Sequence, residues 1–260
     1  MRPSPGEAQI TPNAPCRPIE IALNVCGFGA PAASASATIA LVGNSHAGHW
    51  RAALEIAAKA LHWQGLSITR SSCPLMQATI RLPEPKRAEC TLWTQGVVGW
   101  FAQHPEVSTV FVSDQPTPPL VARGQSVLAA EVDGYVGVWK ALPATVSHIF
   151  VIRDNPYARG DTLACVERAI AHRESAGLRC AIPRNQALKA DPQAIAAQQL
   201  HSPRVRVIDL TRFFCDSQSC YPVIGGALVY KDPDHLTRVF ATTLGPFLLR
   251  EVRRLMASWH

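Results

Sequence analysis

The sequence predicts an α/β protein with a doubly wound, mostly parallel, five-stranded sheet held between two layers of helices. Three observations point there. Five short runs rich in Val and Ile read as buried strands, helix-like stretches alternate with them, and 47% of the 260 residues are hydrophobic against 17% charged, enough to bury one sizeable core. Strand alternating with helix implies parallel strands joined by crossover helices.

The first 35 residues are polar and Pro-rich and read as an N-terminal extension, ahead of one domain over 36–260. The first strand is TIALVG (38–43), and a helix over 47–62 follows it. LSITRS (66–71) precedes a helix over 92–103, and TVFVSD (109–114) precedes one over 120–141. VSHIFVIRD (146–154) precedes helices over 162–174 and 192–201. VRVIDL (205–210) is the last strand. The terminal helix, 237–257, is marked by Leu236, Phe240, Leu244, Phe247 and Leu248 at helical spacing. Trp50, Trp63, Trp93, Trp100 and Trp139 fall mostly on apolar helix faces, which assigns them to the core rather than to sugar stacking.

Composition removes several classes of function. The chain has no charge-free apolar run of about 18 residues, so it is not expected to span a membrane. MRPSPGEAQITPNAPC has no apolar segment of the kind a secretory signal needs. The formal charge is +6, yet the basic residues are scattered apart from Arg250, Arg253 and Arg254, with no basic stripe interleaved with aromatics. A nucleic-acid partner is therefore not expected.

The eight cysteines fall into four sequence-local pairs, Cys16/Cys26, Cys73/Cys90, Cys165/Cys180 and Cys215/Cys220, each straddling a Pro-rich or polar segment. Disulfides are the leading reading, with buried thiols and zinc as alternatives. A structural zinc site wants paired knuckles, and Cys215-x4-Cys220 is a near match with no second knuckle close by. Oxidised cysteines without a signal or a span imply the extracytoplasmic part of a longer polypeptide, tethered to membrane segments upstream.

In open α/β sheets ligands sit beyond the carboxyl ends of the strands. The first strand runs straight into Gly43-Asn44-Ser45-His46-Ala47-Gly48-His49-Trp50, which places Ser45 at a strand-to-helix turn. A helix N-terminus there offers free N–H groups and partial positive charge to an oxyanion. The alternative is a Ser that only caps the helix. Near the other end, Asp232-Pro233-Asp234-His235 sets a carboxylate three residues before an imidazole at the entry to the terminal helix. A carboxylate that orients an imidazole, which in turn takes a serine proton, is the logic of a catalytic triad. Asp232 is the preferred orienting acid. Asp234, adjacent to His235, is better placed to cap the helix. The alternative for the whole segment is a turn with an N-cap. His46 and His49 have metal-ligand spacing but no acidic or third His partner nearby in sequence, so no metal is expected. Asp154 reads as part of an Asp-Asn-Pro turn, with a second-acid role as the alternative.

GNSHAGHW resembles the G-D-S-H block, and DPDHLT the D-x-x-H-L block, of the SGNH/GDSL hydrolase superfamily, specifically the extracytoplasmic SGNH domain fused to bacterial acyltransferase-3 membrane proteins. Cys26-Gly27-Phe28-Gly29, Ser72-Cys73-Pro74, Arg153-Asp154-Asn155-Pro156 and Cys220-Tyr221-Pro222-Val223-Ile224-Gly225 leading to Tyr230 are similar to that subgroup as well. The resemblance implies an SGNH, flavodoxin-like three-layer fold over 36–260. It also implies transfer of an acyl group, acetyl first, to a cell-surface glycan, with the upstream membrane domain as acyl donor. By position it makes Ser45 the nucleophile, His235 the general base and acid, and Asp232 the orienting carboxylate. It implies no organic cofactor and no metal. Two features depart from the family pattern. Position 44 is Asn rather than Asp, and the loops after the second and third strands read Arg70-Ser71-Ser72-Cys73 and Ser113-Asp114-Gln115, without the usual Gly and Asn oxyanion donors. The expected substitutes are the N–H of Ser45, the N–H near Ser72 and the Gln115 amide, with Asn44 tying the turn. A carbohydrate O-acetyl esterase with the same triad and a non-catalytic glycan-binding module are the competing functions.

Overall fold

The computed structural model describes residues 1–16, 18–20, 22–115, 120–122 and 124–259. In chain order the strands are β1 (Pro18–Glu20), β2 (Val25–Gly29), β3 (Ala37–Gly43), β4 (Trp63–Thr69), β5 (Thr109–Ser113), β6 (His148–Ile152), β7 (Ile182–Pro183), β8 (Val205–Ile208), β9 (Ser219–Cys220), β10 (Val223–Ile224) and β11 (Ala227–Leu228). The helices are α1 (Pro5–Ile10), α2 (Ser45–Ala60), α3 (Lys86–Gln103), α4 (Val127–Ala141), α5 (Thr162–Ala171), α6 (Ala176–Arg179), α7 (Arg184–Ala187), α8 (Pro192–Leu200), α9 (Arg238–Thr243) and α10 (Gly245–Ala257).

The central sheet has seven strands in the order β1-β2-β4-β3-β5-β6-β8. The five runs read as strands form its parallel part, β4-β3-β5-β6-β8. The two further strands, β1 and β2, are antiparallel and lie inside the segment set apart from sequence as an extension. Within that segment Arg17 and Ile21 lie outside the described residues. The doubly wound, mostly parallel class thus holds, with seven strands in place of five. β2 is a Gly- and Cys-containing antiparallel strand between β4 and the edge strand β1, and its pattern carries little of the Val/Ile signal that marks a buried parallel strand. Phe28 packs over Gly65 of β4, where an added Cβ would stand 2.2 Å from the ring.

Helices cover both faces. On one, α3, α4 and α8 bury Trp93, Val97, Phe101, Tyr135, Val138, Trp139 and Ala196 against Val42, Val110 and Val151. On the other, α2, α9 and α10 bury Trp50, Leu54, Phe240, Leu248 and Val252 against Leu41, Phe111 and Phe150. Of the stretch 120–141 read as a helix, Arg123 lies outside the described residues and α4 takes Val127–Ala141, behind a Ser126 N-cap. The terminal stretch 237–257 divides at Leu244 into α9 and α10, with Pro246 in the first turn of α10. Gly245 sits at that break because α10 crosses α2 closely there: a Cβ would stand 2.5 Å from Ile56 Cβ.

All eight cysteines are paired, as Cys16–Cys26, Cys73–Cys90, Cys165–Cys180 and Cys215–Cys220. Among the described residues, no helix is long and apolar enough to cross a membrane.

Candidate active site

β3 ends at Gly43, whose φ is +147° and whose added Cβ would meet Ser113 O at 2.1 Å. Only glycine lets the chain turn there against β5. Asn44 then caps α2, its Oδ1 accepting from the His46 N–H at 2.9 Å and from the Gln115 N–H at 3.3 Å. The Asn44 N–H donates to Asp114 Oδ1 at 2.6 Å. Asp114 is buried, and its Oδ2 also accepts from the Leu75 N–H at 3.0 Å and the Gln193 amide at 3.1 Å. One carboxylate thus ties the turn after β3 to the loop after β4 and to α8. Burial pushes the Asp114 carboxyl well above the usual carboxylate range, against the pull of its backbone donors.

Ser45 opens α2, and its Oγ lies 2.8 Å from His235 Nε2. His235 comes from a loop pinned at both ends. The Lys231 N–H donates to the His235 carbonyl at 3.0 Å and the Thr237 N–H to the Val229 carbonyl at 2.8 Å. Within that loop Asp232 Oδ1 accepts from the N–H groups of Asp234 (3.1 Å) and His235 (2.8 Å). Both Asp232 oxygens lie 3.0 Å from His235 Nδ1. Asp234 does not cap the helix as expected, because Thr237 caps α9 by accepting from the Phe240 N–H at 3.1 Å, and the bend of the loop turns Asp234 toward the ring instead. Its Oδ1 is 2.9 Å from the same nitrogen, and its Oδ2 accepts from the Gln115 amide at 2.8 Å. The strand-end loop after β6 supports the arrangement, with the Asn155 amide donating to the Asp234 carbonyl at 3.0 Å and the Ala158 N–H to the Pro233 carbonyl at 2.7 Å.

Partial burial works to lower the His235 pKa, but the hydrogen bonds and charges of Asp232 and Asp234 outweigh it and raise it to about 9. Burial likewise opposes ionisation of Asp232, and its bonds from His235 outweigh that and hold it below the usual range.

A second imidazole–carboxylate pair lies directly behind. His46 and Asp154 are buried, with Nδ1 2.7 Å from Oδ1, and the His46 ring stacks at a tilt 4.8 Å from that of His235. His46 Nε2 is 4.0 Å from Asp234 Oδ2. Sequence spacing shows no acidic neighbour for His46 and His49, and the fold supplies Asp154 from a strand end 108 residues away. His46, His49 and Asp154, or His46, Asp234 and His235, are of the types that hold a metal ion. In each set, however, a ring nitrogen and a carboxylate already face each other at hydrogen-bonding distance. Burial, with smaller contributions from His46 and His235, lowers the His49 pKa well below its ordinary value and keeps the ring neutral.

A cleft of about 270 Å³ opens at Ser45, lined by Asn13, Ala14, Gly48, Thr69, Ser71, Lys231, Asp232 and His235. A larger one, about 460 Å³ between residues 74–80 and α3, contains none of the Ser45–His235–Asp232 chain. Of the residues expected near an oxyanion, Ser45 contributes a first-turn N–H, Asn44 caps the turn, and the Gln115 amide donates to Asp234. Ser71, not Ser72, lines the cleft. Ser72 holds a left-handed φ of 63° beside the Cys73–Cys90 bridge. Sequence reasoning missed Asn13 and Ala14, because a polar Pro-rich segment carries no signal that it folds back over a site.

A family described as "SGNH domain (fused to AT3 domains)" matches residues 11–250. The chain belongs to that family. Among solved structures, this SGNH domain is similar to the periplasmic domain of a lipopolysaccharide acetyltransferase from Salmonella ser. Paratyphi A, at 12% identity, a TM-score of 0.64 and 83% coverage of each chain. That likeness is one of fold. No curated protein matches the chain. The family match begins at residue 11 and so takes in part of the Pro-rich segment that carries β1 and β2. Family membership supports an enzyme associated with an acyltransferase membrane domain.

Proposed function

We propose that this SGNH domain transfers an acyl group, acetyl first, to a hydroxyl of a cell-surface glycan through an acyl-Ser45 intermediate. The observation that carries the reading is the unbroken chain from Ser45 Oγ to His235 Nε2 at 2.8 Å and from Nδ1 to Asp232 at 3.0 Å. His235 takes the Ser45 proton as Oγ adds to the acyl carbonyl carbon. The carbonyl π pair moves to oxygen, and the N–H groups at the start of α2 face the charge that forms. When the intermediate collapses, the donor's leaving group takes the proton from His235. A sugar hydroxyl then gives its proton to Nε2 as its oxygen adds to the acyl carbon, and when that intermediate collapses the bond to Oγ breaks and Nε2 returns the proton to Ser45 Oγ. Asp232 stabilises the imidazolium in both halves.

The small cleft at Ser45 suits a short acyl chain better than a long one. Four disulfides fit an oxidising, extracytoplasmic setting, and the fusion named for the family supports a membrane acyltransferase domain as the acyl donor.

The test is intact mass after treatment with a serine-directed fluorophosphonate. A single adduct that disappears in Ser45→Ala is the expected result. No adduct in folded, oxidised protein would overturn the acyl-serine reading in favour of a binding module. Acetate release with and without a glycan acceptor then separates transfer from hydrolysis, since release at full rate regardless of acceptor means an esterase.

A further inference from the structure

Residues 11–16 belong to the cleft rather than to a tether, and both ends of this segment are fastened to the elements that carry the Ser45–His235 pair. Lys231 Nζ, one residue before Asp232, donates to the Thr11 carbonyl at 3.2 Å. Arg51 Nη1, on the helix that Ser45 opens, donates to the Pro15 carbonyl at 3.0 Å, while its Nη2 donates to the Gly27 carbonyl of β2 at 3.2 Å. The Cys16–Cys26 bridge then locks the segment to the same strand. Between these fastenings, Asn13 and Ala14 form one wall of the Ser45 cleft.

The Asn13 side chain is held in an unusual way. Its Oδ1 is shielded from solvent and has no partner among the described residues. A shielded, unpaired amide oxygen is costly, and an exception of this kind calls for an explanation, of which a side chain held for function is one. The other polar atom of that amide, Nδ2, is a donor. Among the described residues at the end of β4 and in the loops after β4 and β5, the Gln115 amide is spent on Asp234 and Asp114 accepts, which leaves the hydroxyls of Thr69 and Ser71 beside Asn13 in the cleft wall. Resting on the acyl-serine reading, we infer that Asn13 is a substrate-contacting residue whose Nδ2 donates to the carbonyl oxygen of the acyl group at Ser45, a donor delivered by the N-terminal segment. As Oγ adds and the oxygen gains charge, that bond becomes charge-assisted and strengthens.

The full chain carrying Asn13→Ala or Asn13→Asp tests it, with the rate of fluorophosphonate labelling and kcat/KM on p-nitrophenyl acetate as readouts and melting temperature as the check on folding. Asn13→Ala is expected to slow both about 100-fold, the loss that follows removal of one oxyanion donor. Asn13→Asp is nearly isosteric and sets a negative charge beside the developing oxyanion, so it is expected to be slower than Asn13→Ala. A purely structural role predicts the opposite order, because the isostere would pack better than alanine. Asn13→Ala within about threefold of the parent rate, or Asn13→Asp at or above the alanine rate, overturns the inference while the Ser45 adduct still stands. Absence of the adduct in the parent protein overturns the acyl-serine reading and this inference with it.

Discussion

Asp234 Oδ1 lies 2.9 Å from His235 Nδ1, as close as either oxygen of Asp232 at 3.0 Å. Two carboxylates thus converge on one imidazole nitrogen, and the ring holds its proton up to about pH 9. A protonated His235 cannot take the Ser45 proton. Labelling of Ser45 is therefore expected to rise with pH from neutrality toward 9, and Asp234→Asn, which removes one of the two charges, should move that profile to lower pH. Asp232→Asn should instead lower the plateau by about 10⁴-fold, as loss of the orienting acid does in triads. A profile that stays put in Asp234→Asn would show that its carboxylate does not act on the ring.

The same shift has a stability signature. His235 binds its proton more tightly in the folded chain than in the unfolded one, so its contribution is complete below about pH 6.5 and fades as pH climbs through about 9. The melting-temperature difference between the parent protein and His235→Gln should accordingly narrow between pH 6 and pH 10.

Glu131 makes the reverse case. Burial, with repulsion from Asp191, pushes its carboxyl up to about 7, and its Oε1 finds no partner among the described residues. The folded chain pays for ionising it above that pH and recovers the cost as pH falls toward the unfolded value near 4.5. Glu131→Gln should raise the melting temperature at pH 8 and leave it nearly unchanged at pH 4.

The two close glycines should be among the least replaceable positions. Gly245→Ala places a Cβ 2.5 Å from Ile56 Cβ and is expected to cost about 1–3 kcal/mol in chemical denaturation, the usual range for overpacking. Gly43→Ala adds backbone strain at φ +147° to a 2.1 Å clash with Ser113 O, so it should cost more and should slow Ser45 labelling as well.

Removing His46 should cost stability by leaving Asp154 buried without its partner. The loss in His46→Ala, measured by denaturation, should be larger at pH 8 than at pH 5, since the orphaned carboxyl can escape by protonation only at the lower pH.

How far the sequence could be read follows from which signals are local. The five parallel strands are legible because burial on both faces forces runs such as TIALVG and VSHIFVIRD. β1 and β2, as short antiparallel strands at that end of the sheet, face no such demand. The break between α9 and α10 is hidden because Phe240 and Leu248 face the same core on either side of it, so the apolar period runs on. At the site, Ser45 is announced by a strand running into a glycine turn, and His235 and Asp232 by a spacing of three. The approach of Asp234 to the ring depends on the loop's bend, which pattern alone does not give. The His46–Asp154 contact and the place of Asn13 depend on chain return over long distances, which only the folded topology decides.

The separation of 190 positions between Ser45 and His235 bears on how this domain matures. The two are brought together by one apolar layer, in which Trp50 and Leu54 of α2 meet Phe240 and Leu248 of the terminal helices. Closing so long a loop is entropically costly, and only the completed layer repays it. A folding intermediate that had built the sheet but not docked that layer would contain a serine and a histidine with no knowledge of each other. On the acyl-serine reading, Ser45 becomes reactive only once that layer has docked.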